Sequence, residues 1–437
     1  MSLPAVAQLE FSFTYSSSVP ASEKSGIEAA VARAAEAWQT HLQDAITVNV
    51  VIDWAPIASG SKAISFVDYE RRTYSEVYTA LGTDRSSPTD FSSFAKLQDD
   101  AQVEFLINYT VENPAGPGSS TPYLDDDSDL NNRNLRLSFA NSKAIGLRAA
   151  QGTDRDGRIV FDANKTWDYF PADGIAPGDF DFGVTTLHEL GHILGFTSRI
   201  DSQLGNDPGK TESEYDYIVP LDLYVYSTQS AAQGEGVFDW TLDTRSKYFS
   251  TDGGASVLAY MSTGVSFGDG QSRGHWRNAT PGQDPIGVMD PSTVSFQTIQ
   301  DNDLIVMDLI GFDLLPGIIP IVDCHAKAGG EVFLEWVALP NATDYQVYRQ
   351  INGSWIPELG GSYVGETWTR NFGLTLPDLR HFRVTADAIV ELPKSNVQSY
   401  SAKAAPFELK SMNPARASAL SHPHASCGCC LQQGIDH

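Results

Sequence analysis

The sequence predicts an α+β domain over residues 1–315, a mixed twisted sheet carrying helices, followed by a small all-β sandwich over 316–405. Three observations carry this expectation. The chain opens on strand-like alternation, then helical periodicity, then alternation again, which is the opening of a mixed α/β unit. A proline-bounded stretch from Pro316 to Pro320 reads as a linker, and beyond it the texture changes to short alternating runs. A chain of 437 residues is also long for one compact domain, while 41% hydrophobic and 11% aromatic residues suffice for two cores.

Taken in order, Leu9–Tyr15 alternates apolar and polar residues as a strand does. Ala21–Leu42 carries Ile27, Val31, Ala34, Ala35, Trp38 and Leu42 at helical spacing, with Ser22 as its expected N-cap. Ile46–Trp54 alternates in the β-branched style of a strand. Tyr69–Leu81 and Phe91–Asp100 read as short helices, and Gln102–Tyr109 as a strand. Asn113–Asn134, rich in Pro, Gly, Ser and Asp, reads as loop. Its run Asp125-Asp126-Asp127-Ser128-Asp129 offers carboxylates to Ca2+. It lacks the Gly and distal Glu of an EF-hand loop, so a solvated loop is the first reading and Ca2+ the second. Gly157–Asp162 is a short strand and Phe182–Phe196 a helix. Thr197–Thr293 is mostly loop and turn, and an irregular insertion of that length is usually functional. Phe296–Ile310 is a last helix, with Ile299, Leu304, Ile305, Met307, Leu309 and Ile310, closed by Gly311.

Past the linker, Glu331–Val337, Tyr345–Gln350, Ser362–Trp368 and His381–Asp387 read as strands, with Trp336, Tyr348 and Phe382 as core anchors. Their spacing resembles a sandwich of the fibronectin type III or immunoglobulin-like kind, an accessory module for substrate, surface or partner contact. His325 and His381 read as surface or packed residues. From Pro406 the composition is polar and unpatterned, so 406–437 is expected to be disordered. The alternative is a metal-binding tail built from His422, His424, Cys427, Cys429 and Cys430.

A net charge of −26 excludes nucleic acid as a partner, because nothing would neutralise phosphates. Met1–Ala7 has neither a basic region nor a long apolar core, so no export signal is expected in this chain. Leu304–Val322 is too interrupted by Asp308, Asp313, Pro316 and Pro320 to span a bilayer. The acidic surface suits a soluble protein outside the cell or in a salty medium, and the chain is expected to be secreted and monomeric. Cysteine is confined to Cys324 and the tail, so the body is not a disulfide scaffold.

The chemistry concentrates in His188-Glu189-Leu190-Gly191-His192. Histidines at i and i+4 share one helix face and can direct both imidazoles at one ion. Glu189, one residue after the first histidine, falls beside the ion rather than on it, where it can take a proton from water. Val184, Leu187, Leu190, Ile193 and Leu194 give this helix buried flanks. A catalytic zinc needs a third protein ligand and an open position.

Extended to Ile193-Leu194-Gly195, the motif resembles the metzincin family of zinc metallopeptidases. That resemblance implies a sharp exit from the helix at Gly195, at positive φ. It also implies a third ligand at position 198, but Ser198 stands there, a poor ligand for zinc. Between Gly195 and Pro316 the one histidine is His275, followed by Ile286-Gly287-Val288-Met289-Asp290-Pro291, which looks like a Met-turn. A distant third ligand followed by a Met-turn resembles leishmanolysin and related exported bacterial proteases. The resemblance implies His275 as third ligand and Met289 as the apolar floor of the site, with Asp201 the alternative ligand. Taken alone, Met289 would read as core filling. Tyr215-Asp216-Tyr217 and Asp222-Leu223-Tyr224 read equally as cleft lining or as loop packing.

The implied activity is endoproteolysis: zinc polarises the scissile carbonyl of a protein or peptide substrate while Glu189 shuttles the proton to the leaving amine. Gly157–Asp162 is the expected edge strand for an extended substrate. No cysteine precedes residue 324, so no N-terminal cysteine switch is expected. The rivals are a catalytically inactive, protease-like adhesion protein acting through its sandwich, and a closed structural zinc site.

Overall fold

The computed structural model describes residues 9–314, except 100, 172–173, 280–284 and 293–296, together with parts of 321–408 that include the strands named below. The first of two compact units ends at Asp313 and the second begins at Leu314. Both together make a mixed α+β chain of several small sheets and few helices.

Unit one runs β1 (Glu10–Tyr15), α1 (Lys24–Gln39), β2 (Thr47–Ala55), β3 (Ala63–Val67), β4 (Tyr69–Thr73), α2 (Tyr74–Asp84), α3 (Pro88–Phe94), β5 (Phe105–Ile107), β6 (Tyr123–Asp125), α4 (Leu130–Arg133), β7 (Asn134–Ser138), α5 (Phe139–Ala144) and β8 (Gly157–Asp162). Short strands β9 (Trp167–Asp168) and β10 (Phe180–Asp181) then lead into α6 (Phe182–Leu194). Next come β11 (Val225–Tyr226), α7 (Thr228–Ala231), β12 (Phe238–Asp239), β13 (Lys247–Phe249), β14 (Ala259–Met261) and finally α8 (Asp301–Leu309).

The central sheet has the order β1-β2-β8-β3, with β3 antiparallel to three parallel strands. Val48, Val50 and Ile52 alternate into the core from β2, as their spacing demands. The apolar stripe of α1, Ile27, Val31, Ala34, Ala35 and Trp38, is buried. Trp38 reaches α6, where its Nε1 donates to the Leu187 carbonyl at 3.0 Å. Phe161 and Phe182 stack at 4.3 Å, locking β8 to the start of α6.

Several expectations are corrected. Gly157–Asp162 is not an edge: β8 pairs on both sides, and the edge belongs to β3, which pairs with β8 alone among the described residues. The pattern of β8, all but Arg158 buried, is that of an interior strand. Helix α1 starts at Lys24 rather than Ala21, because Pro20–Glu23 form a turn, and Glu23 replaces Ser22 at the cap. Tyr69–Thr73 is a strand because it finds β7 as an antiparallel partner. The helix follows from Tyr74, opened by a Thr73/Glu76 capping box. The next helix is Pro88–Phe94 rather than Phe91–Asp100, since Ser87 caps it and Pro88 suits its first turn. Asn113–Asn134 is not all loop but contains β6 and α4, and the last helix begins at Asp301.

The insertion 197–293 is irregular yet packed, with Tyr215, Leu221 and Trp240 fully buried. Three of its strands form the sheet β11-β13-β14, and β12 joins β5 and β6.

Unit two has β15 (Ile321–Lys327), β16 (Glu331–Trp336), β17 (Tyr345–Ile351), β18 (Ser354–Pro357), β19 (Ser362–Val364), β20 (Thr367–Asn371), β21 (His381–Ala386) and β22 (Phe407–Glu408). They form two four-stranded antiparallel sheets, β15-β16-β20-β19 and β18-β17-β21-β22. The single strand expected over Ser362–Trp368 is a hairpin, β19–β20. Val332, Leu334, Val347 and Trp368 are buried. The expected tail from 406 is corrected at its start, because Phe407–Glu408 pair with β21. The side chains of Trp336, Tyr348, Phe382, His325 and His381, the linker, and the His/Cys tail lie outside the described residues.

Candidate metal centre

Helix α6 is built to hold a rigid face. Asp181 caps it, accepting from Val184 N at 3.0 Å, and Phe182, Leu190, Ile193 and Leu194 are fully buried. His188 and His192, one turn apart, point the same way. At the helix end Gly195 adopts φ 120°, and a Cβ there would meet Asn141 Oδ1 at 2.1 Å, so only glycine fits the exit turn. The turn then returns a carbonyl to its own helix: Phe196 O accepts from His192 Nδ1 at 2.7 Å.

The other two histidines are oriented in the same manner. His188 Nδ1 donates to Val288 O at 2.8 Å, and His275 Nδ1 to Ser272 O at 3.1 Å. A carbonyl only accepts, so each Nδ1 carries the proton and each Nε2 presents a lone pair. Those lone pairs converge: His275 Nε2 lies 3.1 Å from His192 Nε2 and 3.3 Å from His188 Nε2. Two unprotonated nitrogens that close repel one another unless a cation lies between them. A tetrahedral ion with bonds of about 2.0–2.1 Å places its ligand nitrogens roughly 3.3 Å apart, which both of these separations match.

All three rings are buried. Burial pushes His188 down to about 3, with His192 adding to it, and burial takes His192 to about 4 against the Phe196 carbonyl. His275 is held well below the ordinary range by burial, then by the two other rings. The site is therefore tuned to keep imidazoles neutral, the form that binds metal.

Comparison with protein-family models, with curated proteins and with solved structures finds no match to this chain.

Glu189 is fully buried beside His188, with Ser65 Oγ of β3 against its carboxylate and 3.0 Å from its backbone carbonyl. Met289 packs beneath the helix: a Cβ on Gly191 would meet its Sδ at 2.4 Å. The glycine inside the motif is thus required by the residue under it. Asp201 is not among the converging groups. Its oxygens accept from Val265 N at 2.7 Å and Arg273 N at 2.8 Å, so it shapes the loop that delivers His275. Ser198 turns away as well, donating to Asp222 Oδ1 at 2.7 Å. Tyr215, Asp222 and Tyr224 are interior, which favours packing over cleft lining.

Asp303, on α8, was not legible as a site residue. Its buried carboxylate accepts from Trp276 Nε1 at 2.8 Å, Val288 N at 2.8 Å, Met289 N at 3.4 Å and Gln300 N at 2.8 Å. It joins the His275 segment to the turn whose carbonyl orients His188. Burial pushes its carboxyl up to about 6 against those bonds. Asp303→Ala should cost about 3–5 kcal/mol, because several buried N–H groups lose their acceptor. It should also weaken any metal binding at the three histidines about 10–100-fold by loosening what orients their rings. Denaturant melts and competition against a chelating dye measure both; unaltered metal affinity would reject the orienting role.

Proposed function

We propose that this chain is a zinc-dependent endopeptidase of the metzincin kind, with the distant third ligand and Met-turn of leishmanolysin-like enzymes. The observation that carries this reading is the convergence of His188, His192 and His275 through nitrogens whose tautomers are fixed, with Glu189 adjoining them. An all-imidazole donor set suits zinc rather than calcium or magnesium. Zinc held there supplies Lewis acidity, polarising a carbonyl oxygen and drawing the pKa of water down to about 7.

The protein's own groups divide the remaining work. Glu189 takes a proton from the attacking water and gives it to the leaving amine. Ser65 fixes that carboxylate from the edge strand. The same strand, β3, offers its outer backbone groups to an extended peptide, an affinity that makes little demand on sequence.

Two features favour this over the rivals. A closed structural site needs a fourth Cys or His, and among the described residues the cluster contains three. A fully buried glutamate next to the ligands is costly to keep, and an adhesion protein has no use for it. No helix among the described residues is long and apolar enough to cross a membrane.

Metal removal tests the reading directly. Purified protein is expected to carry one zinc per chain, to lose casein cleavage when dialysed against a strong chelator, and to regain it with added zinc. Undiminished cleavage by the metal-free protein would overturn it.

A further inference from the structure

Away from the histidines, a second group of side chains converges where the loop 113–134 meets the insertion. Asp125, at the end of β6, Asp127 and Glu212 each present a carboxylate oxygen, and these oxygens lie within 4.8 Å of one another. Asp125 and Glu212 are only 2% and 7% exposed, whereas Asp127 faces solvent. The run expected to be a solvated loop therefore has one interior residue, Asp125.

Two buried oxygens at this place have no hydrogen-bond partner among the described residues, Asp125 Oδ1 and Asn131 Oδ1. Asn131 is fully buried and its carboxamide lies against Asp125, with Nδ2 donating to Oδ2 at 2.8 Å. A flip of that amide would turn its oxygen toward the same carboxylate. Such orphaned acceptors are rare in folded proteins and call for a donor or a cation. The charges acting most strongly on Asp125 and Glu212 are all negative: each carboxylate feels Asp129, Asp125 feels Glu212, and Glu212 feels Asp127 and Glu112. Burial and these neighbours push Asp125 up to about 8 and raise Glu212.

We propose that Asp125, Asp127 and Glu212, with the carboxamide oxygen of Asn131, form a calcium site that ties the loop 113–134 to the insertion carrying His275. The donors are all oxygen, the preference of a hard cation and the opposite of the histidine centre. Calcium bonds of about 2.3–2.6 Å bridge oxygens up to roughly 4.6–5.2 Å apart, which covers this cluster as it stands. Magnesium demands a strict octahedron and gives up its waters reluctantly, so a site made mainly of protein oxygens suits it less well. Glu212 lies between Gly195 and His275 in the chain, so the bound ion would brace the insertion without entering the chemistry.

The test uses the full chain with zinc present, so that the histidines are already engaged. Calorimetric titration with Ca2+ is expected to reveal one saturable site. Tb3+ in its place should luminesce on tyrosine excitation, because the Tyr123 hydroxyl donates to Glu212. Asp127→Asn, which alters an exposed side chain and spares the fold, and Glu212→Gln should each weaken Ca2+ binding at least about tenfold. Glu28→Gln, an exposed acid on α1, should leave it unchanged. Binding that is absent, equal in all three variants, or as tight for Mg2+ as for Ca2+ would overturn the proposal. Because binding is the readout, the result stands apart from whether the chain cleaves peptides.

Discussion

Glu189→Gln is expected to lower peptide cleavage by about 10²–10⁴-fold while zinc stays bound in full. Glutamine keeps the size of the side chain and can still receive the Ser65 hydroxyl, so packing around the helix is preserved. What it loses is basicity, since an amide cannot accept a proton from water. Neither His188 nor His192 relies on the Glu189 side chain for orientation: their Nδ1 atoms are held by Val288 O and Phe196 O. The metal content and melting temperature should therefore match the wild type or exceed it, because a buried charge has been removed. Kinetics should place the loss in kcat rather than KM, as for a group acting only in the transition state. A variant that retains zinc and cleaves at the wild-type rate would remove Glu189 from the mechanism. One that loses zinc as well would make it a structural or ligating group.

The parts of this centre that were readable in sequence are the local ones. Histidines four apart act within α6, so spacing alone exposes them, whereas the exit at Gly195 was implied by the metzincin resemblance and the Asp181 cap went unread. His275 emerged because Ser198 is a poor ligand and no other histidine stands between Gly195 and the linker. Asp303 and Ser65 gave no such sign, because each meets its partner through tertiary packing: Ser65 lies 124 residues from Glu189 in the chain. The same reason explains the misread strand order. Whether β8 or β3 forms the edge depends on pairings between distant segments, and only the burial of alternate and then successive residues hints at it. Tyr69–Thr73 shows long-range pairing overriding a local pattern, although the Thr73/Glu76 capping box marked the true helix start.

His275→Ala carries the other large expected effect, because it asks whether an insertion can supply what the helix lacks. Two histidines on α6 alone leave a bidentate site, and the three converging nitrogens become two. Zinc affinity should fall by well over the about 10–100-fold that loss of an orienting partner costs, and cleavage should disappear at ordinary zinc concentrations. Truncating a buried ring also opens a cavity beside Trp276, so some loss of stability accompanies it. His275→Cys separates the two effects. A thiolate binds zinc at about 2.3 Å and can restore part of the affinity, whereas a purely structural role for the imidazole would gain nothing from sulfur. Asp201→Asn gives the complementary control. Its carboxylate is committed to Val265 N and Arg273 N, so the change should destabilise the loop while preserving zinc stoichiometry. If zinc binding survived in His275→Ala and was lost in Asp201→Asn, the ligand assignment would reverse. His275 would then be a packed residue beside the metal, and Asp201 would complete the ligand set with His188 and His192.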